Sequence, residues 1–131
     1  MQQSETSLPE FYASVRNAIQ AIKGKIRWKP GKDVQHLQTR VRYRYLPTAA
    51  TIADYETIIT SLLNNLQADV YIYHWGQDIY PTLVNTYQDQ RWLVMFRLNG
   101  VMETAFPPTD PEEYLADPRF QYLGKMEELT K

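Results

Sequence analysis

Apolar residues recur at three- and four-residue intervals through the first half of the chain, and at alternate positions through much of the second. Phe11, Val15, Ala18, Ile19 and Ile22 share one helical face and predict a helix over residues 8–23. Ser7 is placed to cap it with Glu10 returning the bond, Pro9 fits its first turn and Gly24 its stop. Residues 24–33, GKIRWKPGKD, are a basic connection broken at Pro30-Gly31. Over Val34–Tyr45 two periods compete. Val34, Leu37 and Val41 fit a helix face, whereas Val41, Tyr43 and Tyr45 alternate with Arg40, Arg42 and Arg44 as in a strand. The reading adopted is a helix with an extended end, stopped by Pro47. Thr51 and Asp54 open a further helix, about 52–66, with the apolar stripe Ile52, Tyr55, Ile58, Ile59, Leu62, Leu63 and Leu66.

The period then drops to two. Val70–Trp75, Ile79–Tyr87, Arg91–Leu98 and Val101–Phe106 read as four strands joined by short turns, an antiparallel meander. Pro81 suggests an edge or a bulge, and with it a possible route to a dimer, leaving the oligomeric state open. Asn99-Gly100 is the strongest hairpin signal, and a two-residue turn there pairs Leu98 with Val101, Phe96 with Glu103 and Met95 with Thr104. After Pro107-Pro108 come a short helical turn near Asp110–Glu113 and a helical tail over Tyr122–Leu129. The expected architecture is α+β in a single domain: two or three N-terminal helices packed on a four-stranded antiparallel meander, with a short helical tail.

Composition narrows the function. The 131 residues include no cysteine, which removes disulfides, thiolate metal sites and a Cys nucleophile. No signal pattern or membrane-length apolar run is evident, so a soluble, cytoplasmic protein with no membrane association is expected. The net charge of −1 conceals an asymmetry: residues 1–46 carry nine Lys/Arg and three Asp/Glu, residues 47–131 five and twelve. The basic half either meets a polyanion or is attracted by the acidic half within the fold.

Only His36 and His74 are available as histidine ligands, neither with a second ligand at metal spacing, so neither a metal nor a cofactor is expected. Gly-rich phosphate loops and a nucleophile elbow are missing, and the carboxylate pairs Glu112-Glu113 and Glu127-Glu128 read as solvated helix face. The remaining constellation is His36, Arg40, Arg42 and Arg44, with Tyr43 and Tyr45 between the arginines. His36 and Arg40 share a helix face. An imidazole that moves a proton near neutral pH, beside guanidinium groups that fork onto phosphate, is what metal-free RNA cleavage requires.

The layout also resembles the barnase–EndoU–colicin–RelE-like nuclease superfamily, nearest to its phage and mobile-element toxin branches. The resemblance covers residues 34–108 and is carried by His36-Leu37-Gln38-Thr39-Arg40, Thr51-Ile52-Ala53-Asp54, Arg91–Met95 and Gly100–Phe106. It implies a toxin-type ribonuclease acting on RNA, with a cognate antitoxin or other protein as partner. It also implies His36 and Arg40 as helical catalytic residues, and Thr104 as the polar residue of the last strand that contacts phosphate. Arg42, Tyr43, Arg44 and Arg91 are the candidate substrate-binding residues. The alternative is a non-enzymatic interaction or regulatory factor that works through its aromatic sheet surface.

Overall fold

The computed structural model describes residues 2–130, with side chains described from Tyr12 onward. Within these residues the elements run α1 (Gln2–Gly24), α2 (Lys32–Arg42), α3 (Ile52–Leu63), β1 (Asp69–Trp75), β2 (Asp78–Tyr87), β3 (Gln90–Phe96), β4 (Met102–Phe106), α4 (Pro111–Leu115), β5 (Phe120–Lys125) and α5 (Met126–Leu129). The class is α+β, as expected. The sheet has five antiparallel strands rather than four, in the order β4-β3-β2-β1-β5.

α1 begins earlier than residue 8, at Gln2; the side chains of Ser7, Pro9, Glu10 and Phe11 lie outside those described. α2 follows a left-handed Gly31 and runs through Arg42. The alternating VRYRY segment ends in a tight turn instead of a strand. Arg44 takes φ 65°, and the N–H groups of Tyr45 and Leu46 both return to the Arg40 carbonyl at 2.9 and 3.4 Å. The buried Leu46 anchors that return, which overrides the local alternation. α3 starts in a full capping box, in which Thr51 Oγ1 accepts from the Asp54 N–H and Asp54 Oδ2 from the Thr51 N–H.

β1 to β4 form the expected meander. The expected helical tail is replaced by β5, which returns to pair with β1, followed by the single turn α5. Phe120 packs on Tyr73 with ring centroids 4.7 Å apart, and Tyr122 on Tyr71 at 5.2 Å. Such cross-strand aromatic pairs stabilise the strand where no periodicity announced it. Pro81 sits inside the sheet, not at an edge: it pairs with Ile72 of β1, and the β3 register begins one residue later at Thr82. Its missing N–H therefore falls where no β3 partner waits, and the outermost strands are β4 and β5.

One sheet face carries the main core, with Ile72, Leu83, Trp92 and Phe96 under Ile19 and Ile22 of α1 and Tyr55 and Ile59 of α3. The opposite face holds a smaller buried set, Val84, Leu93 and Met95, ringed by half-buried aromatics. Among the described residues no helix is long and apolar enough to cross a membrane.

Candidate active site beside strand β4

The β3–β4 hairpin decides the local geometry. Its loop has three residues, Leu98-Asn99-Gly100, rather than two: the Gly100 N–H donates to the Arg97 carbonyl at 2.8 Å and the Arg97 N–H to the Val101 carbonyl at 2.9 Å. Gly100 is left-handed at φ 86°, and a Cβ built on it would lie 2.9 Å from the Ala21 Cβ. Thr104 pairs with Met95 as expected, but Phe96 pairs with Met102, and Glu103 is the extra residue of a bulge. The cause lies outside the hairpin. Residues before α2 bridge to the edge of β4, and the Met102 N–H donates to the Arg27 carbonyl at 2.8 Å. The bulge lets the Glu103 carboxylate accept from Arg97 Nε at 3.1 Å, a pairing that the expected register forbade.

α2 closes the rest of that edge. Arg40 is buried, 8% exposed, and donates from Nη1 to the Ala105 carbonyl at 2.9 Å. The Tyr55 hydroxyl donates to the same oxygen, and the Arg40 guanidinium rests 5.3 Å from the Phe106 ring centre. Burial pushes the Tyr55 phenol up to about 12, against the opposing pull of the Arg40 charge.

His36 lies one turn before Arg40 and is half-buried. Its ring is 5.7 Å from that of Trp28, and Trp28 is in turn 5.7 Å from Tyr55. The Trp28 indole N–H donates to Glu56 Oε2 at 2.8 Å. Burial holds the His36 pKa below its ordinary 6.5, and the charges of Arg40 and Lys32 lower it further. The Glu103 carboxylate and backbone pull the other way without prevailing. At neutral pH the ring is therefore uncharged and able to accept a proton.

The sequence-predicted residues divide into groups. His36 and Arg40 come together against Glu103–Phe106 of β4. Thr104 stands opposite Met95, so its side chain belongs to the face away from α1 and α3. Arg42, Tyr43 and Arg44 are exposed beyond Arg40 at the end of α2, with Tyr43 62% exposed. Arg91 pairs with Asp69 at 2.6 Å and, with Tyr45, Pro107 and Pro108, lines a cleft of about 460 Å³ that His36 does not line. Trp28, Tyr55, Glu56 and Glu103 were not singled out in the sequence as partners of His36. Trp28 lies in an aperiodic connection, and the other three interrupt no pattern.

The charge asymmetry survives folding. The four ion pairs among the described residues are Arg91–Asp69, Lys125–Asp69, Arg97–Glu103 and Arg119–Asp117, and none reaches the basic N-terminal third. Lys23, Lys25, Arg27, Lys29, Lys32, Arg42 and Arg44 are exposed, and none pairs with a carboxylate among the described residues. Within the same residues no three His, Asp or Glu side chains converge to hold a metal ion. No family model matches the sequence, and no curated protein or solved structure is detectably similar to the chain.

Proposed function

We propose that this chain is a small ribonuclease that cleaves RNA without a metal ion, with His36 as the proton acceptor. The observation that carries the reading is a half-buried imidazole, its pKa held below 6.5 chiefly by burial, set among exposed cations of residues 23–44 that pair with no carboxylate among the described residues. Such a surface attracts a polyanion, releases its counterions and orients a phosphodiester near the ring. His36 takes the proton of a ribose 2′-OH. The 2′-oxygen bonds to phosphorus as the bond to the 5′-oxygen breaks, and that oxygen leaves with a proton from solvent. The product ends in a 2′,3′-cyclic phosphate. Arg42 and Arg44 hold neighbouring phosphates, and Tyr43 offers a ring to an unstacked base. Arg40 works through its charge on the imidazole, since its guanidinium is occupied by Ala105 and Phe106. Thr104 reaches the phosphate only from RNA that crosses the edge of β4, and Arg91 only from RNA that continues past Tyr45.

The test is incubation of mixed RNA with the protein in EDTA, beside His36→Gln. The expected result is cleavage that withstands EDTA, weakens with salt and falls by about 10²-fold or more in the variant. No cleavage at high protein concentration refutes the reading.

A second reading, an interaction module working through its sheet, rests on a different observation. Trp75 and Tyr122 are 55% and 52% exposed, and the cations around that face are each already paired with a carboxylate. That face suits a protein partner, a cognate antitoxin among them, better than RNA. Under it, Trp75→Ala abolishes partner capture and His36→Gln leaves it intact.

A further inference from the structure

We infer that the cleft lined by Tyr45, Asp89, Arg91 and three prolines is a subsite for one unpaired base of the RNA, which makes single-stranded RNA the substrate class. The inference rests on the ribonuclease reading and deepens it.

Three observations meet at this cleft. The first is backbone strain. Among the described residues, the non-glycine positions with left-handed φ are Arg44, Gln88 and Asp89, at 65°, 49° and 68°. Asp89 lines the cleft, Gln88 precedes it in the chain, and Arg44 precedes the lining Tyr45. Gln88 and Asp89 form a two-residue hairpin loop, which demands positive φ but favours Asn and Gly. The turn after α2 favours Gly at the position of Arg44 in the same way. Strained residues of this kind gather at ligand sites. The second observation is the lining. The volume, about 460 Å³, is that of a small-molecule site. Tyr45 supplies a ring, and Pro107, Pro108 and Pro111 supply apolar surface, which suits a flat base. A phosphate suits it poorly, because Arg91 is already held by Asp69 at 2.6 Å and Asp89 adds a carboxylate.

The third observation is the approach. Arg42 and Arg44 are exposed and pair with no carboxylate among the described residues, so the charge complementary to RNA lies just outside the cleft. Tyr43 is 62% exposed, and its ring is 6.4 Å from that of Tyr45. The sugar-phosphate chain follows the arginines while a base turns inward onto Tyr45. The wall is formed in advance: the Tyr45 N–H donates to the Arg40 carbonyl at 2.9 Å, and the next residue, Leu46, is buried. An α-helix rises about 1.5 Å per residue, so Tyr43 stands about 10 Å beyond His36 along α2. The cleft therefore takes a base a short way along the strand from the bond that His36 attacks. A duplex cannot fill it without unpairing and unstacking that base.

The experiment measures binding apart from cleavage. The probe is a short fluorescein-labelled 2′-O-methyl RNA, which has no 2′-OH to attack, offered as a single strand, as a duplex and as an abasic strand. Anisotropy at fixed salt should show the single strand bound about tenfold or more tightly than either of the others, the contribution of one stacked base. Tyr45→Ala should weaken the intact strand about tenfold and leave the abasic strand unchanged, and Tyr45→Phe should bind as wild type. Arg42→Ala should reduce the salt slope for the single strand by about 0.7, whereas Tyr45→Ala should not move it. Thr109 also lines the cleft and is exposed, so Thr109→Trp fills it and keeps the test open if Tyr45→Ala does not fold. Equal binding of the intact and abasic strands by wild type overturns the inference. So does wild-type affinity in folded Tyr45→Ala or Thr109→Trp. Displacement of the strand by an equal concentration of uridine 5′-monophosphate overturns it too, and assigns the cleft to a free nucleotide. Tight single-strand binding without cleavage of the matching ribo-oligonucleotide overturns the catalytic reading and leaves the cleft standing. Cleavage that Tyr45→Ala and Thr109→Trp leave untouched does the reverse.

Discussion

Two donors share the Ala105 carbonyl, and removing both should cost more than the sum of removing each. Arg40 Nη1 reaches that oxygen at 2.9 Å and the Tyr55 hydroxyl reaches it from α3. A carbonyl has two lone pairs, so both bonds are satisfied at once. Tyr55→Phe removes a neutral hydrogen bond worth about 1 kcal/mol and leaves Arg40 in place. Arg40→Met removes a charge-assisted bond worth about 1.5–3 kcal/mol and a contact with Phe106 worth about 1 kcal/mol. It also relieves a buried guanidinium whose Nε has no partner, which returns about 1–2 kcal/mol. The net loss for Arg40→Met is then about 1–2 kcal/mol. In the double variant the carbonyl of a buried residue on an edge strand is left bare, which adds about 1–2 kcal/mol beyond the sum. Urea denaturation of the four proteins measures the cycle. With a chain of this size, each kcal/mol also moves Tm by about 3–5 °C. Additivity to within about 0.3 kcal/mol would refute the shared-acceptor account, because it would mean that water or a shifted backbone satisfies Ala105 without either side chain.

Gly100→Ala should destabilise by about 2–4 kcal/mol in urea, since the left-handed φ strains any other residue and the added methyl meets Ala21 at 2.9 Å; a loss below about 1 kcal/mol would contradict it. His36 should make stability fall with acid. Its folded pKa lies below 6.5, so its contribution is complete above that value and is lost as pH falls toward the folded pKa, where the unfolded chain binds the proton first. Thermal melts from pH 7.5 to 5 should therefore drop more for wild type than for His36→Gln. Asp69 offers a second pH window. Burial raises its pKa, but hydrogen bonds from Lys125, Arg91 and Tyr122 outweigh that and hold it below 3.8. Asp69→Asn should cost about 1 kcal/mol at pH 7, its cationic partners being partly exposed, and its stability should converge on that of wild type as pH falls below 3.8.

Much of the fold was legible because burial writes itself into periodicity. Tyr55, Ile58, Ile59, Leu62 and Leu63, at helical spacing, are all buried, and Thr51 with Asp54 marked the helix start. The alternation of β3 and the Met95–Thr104 pairing were equally readable. The failures share a cause: distant residues overruled a local pattern. Leu46 in the core turned VRYRY back on itself, and Tyr71 and Tyr73 drew Phe120–Lys125 into the sheet. The Arg27 carbonyl took the Met102 N–H and shifted the hairpin by one residue near its turn. For the site, the sequence placed His36 beside Arg40 on one helix, and the structure sets them together against β4. It was silent on Trp28, which bonds Glu56 and lies beside the His36 ring, and on Arg40 serving the edge of β4.

The late return of β5 has a consequence for the order of synthesis. Four strands can assemble as each hairpin leaves the ribosome, because every one of those pairings is between chain neighbours. β1 is different: its outer partner lies roughly fifty residues further along, so closing that pairing carries the largest loop entropy in the sheet. Until Lys125 emerges, a growing chain presents Tyr71, Tyr73 and their unpaired backbone to whatever is nearby. A nascent chain halted before Phe120 should therefore be the species most prone to aggregate or to recruit a chaperone, while one halted beyond Lys125 should not.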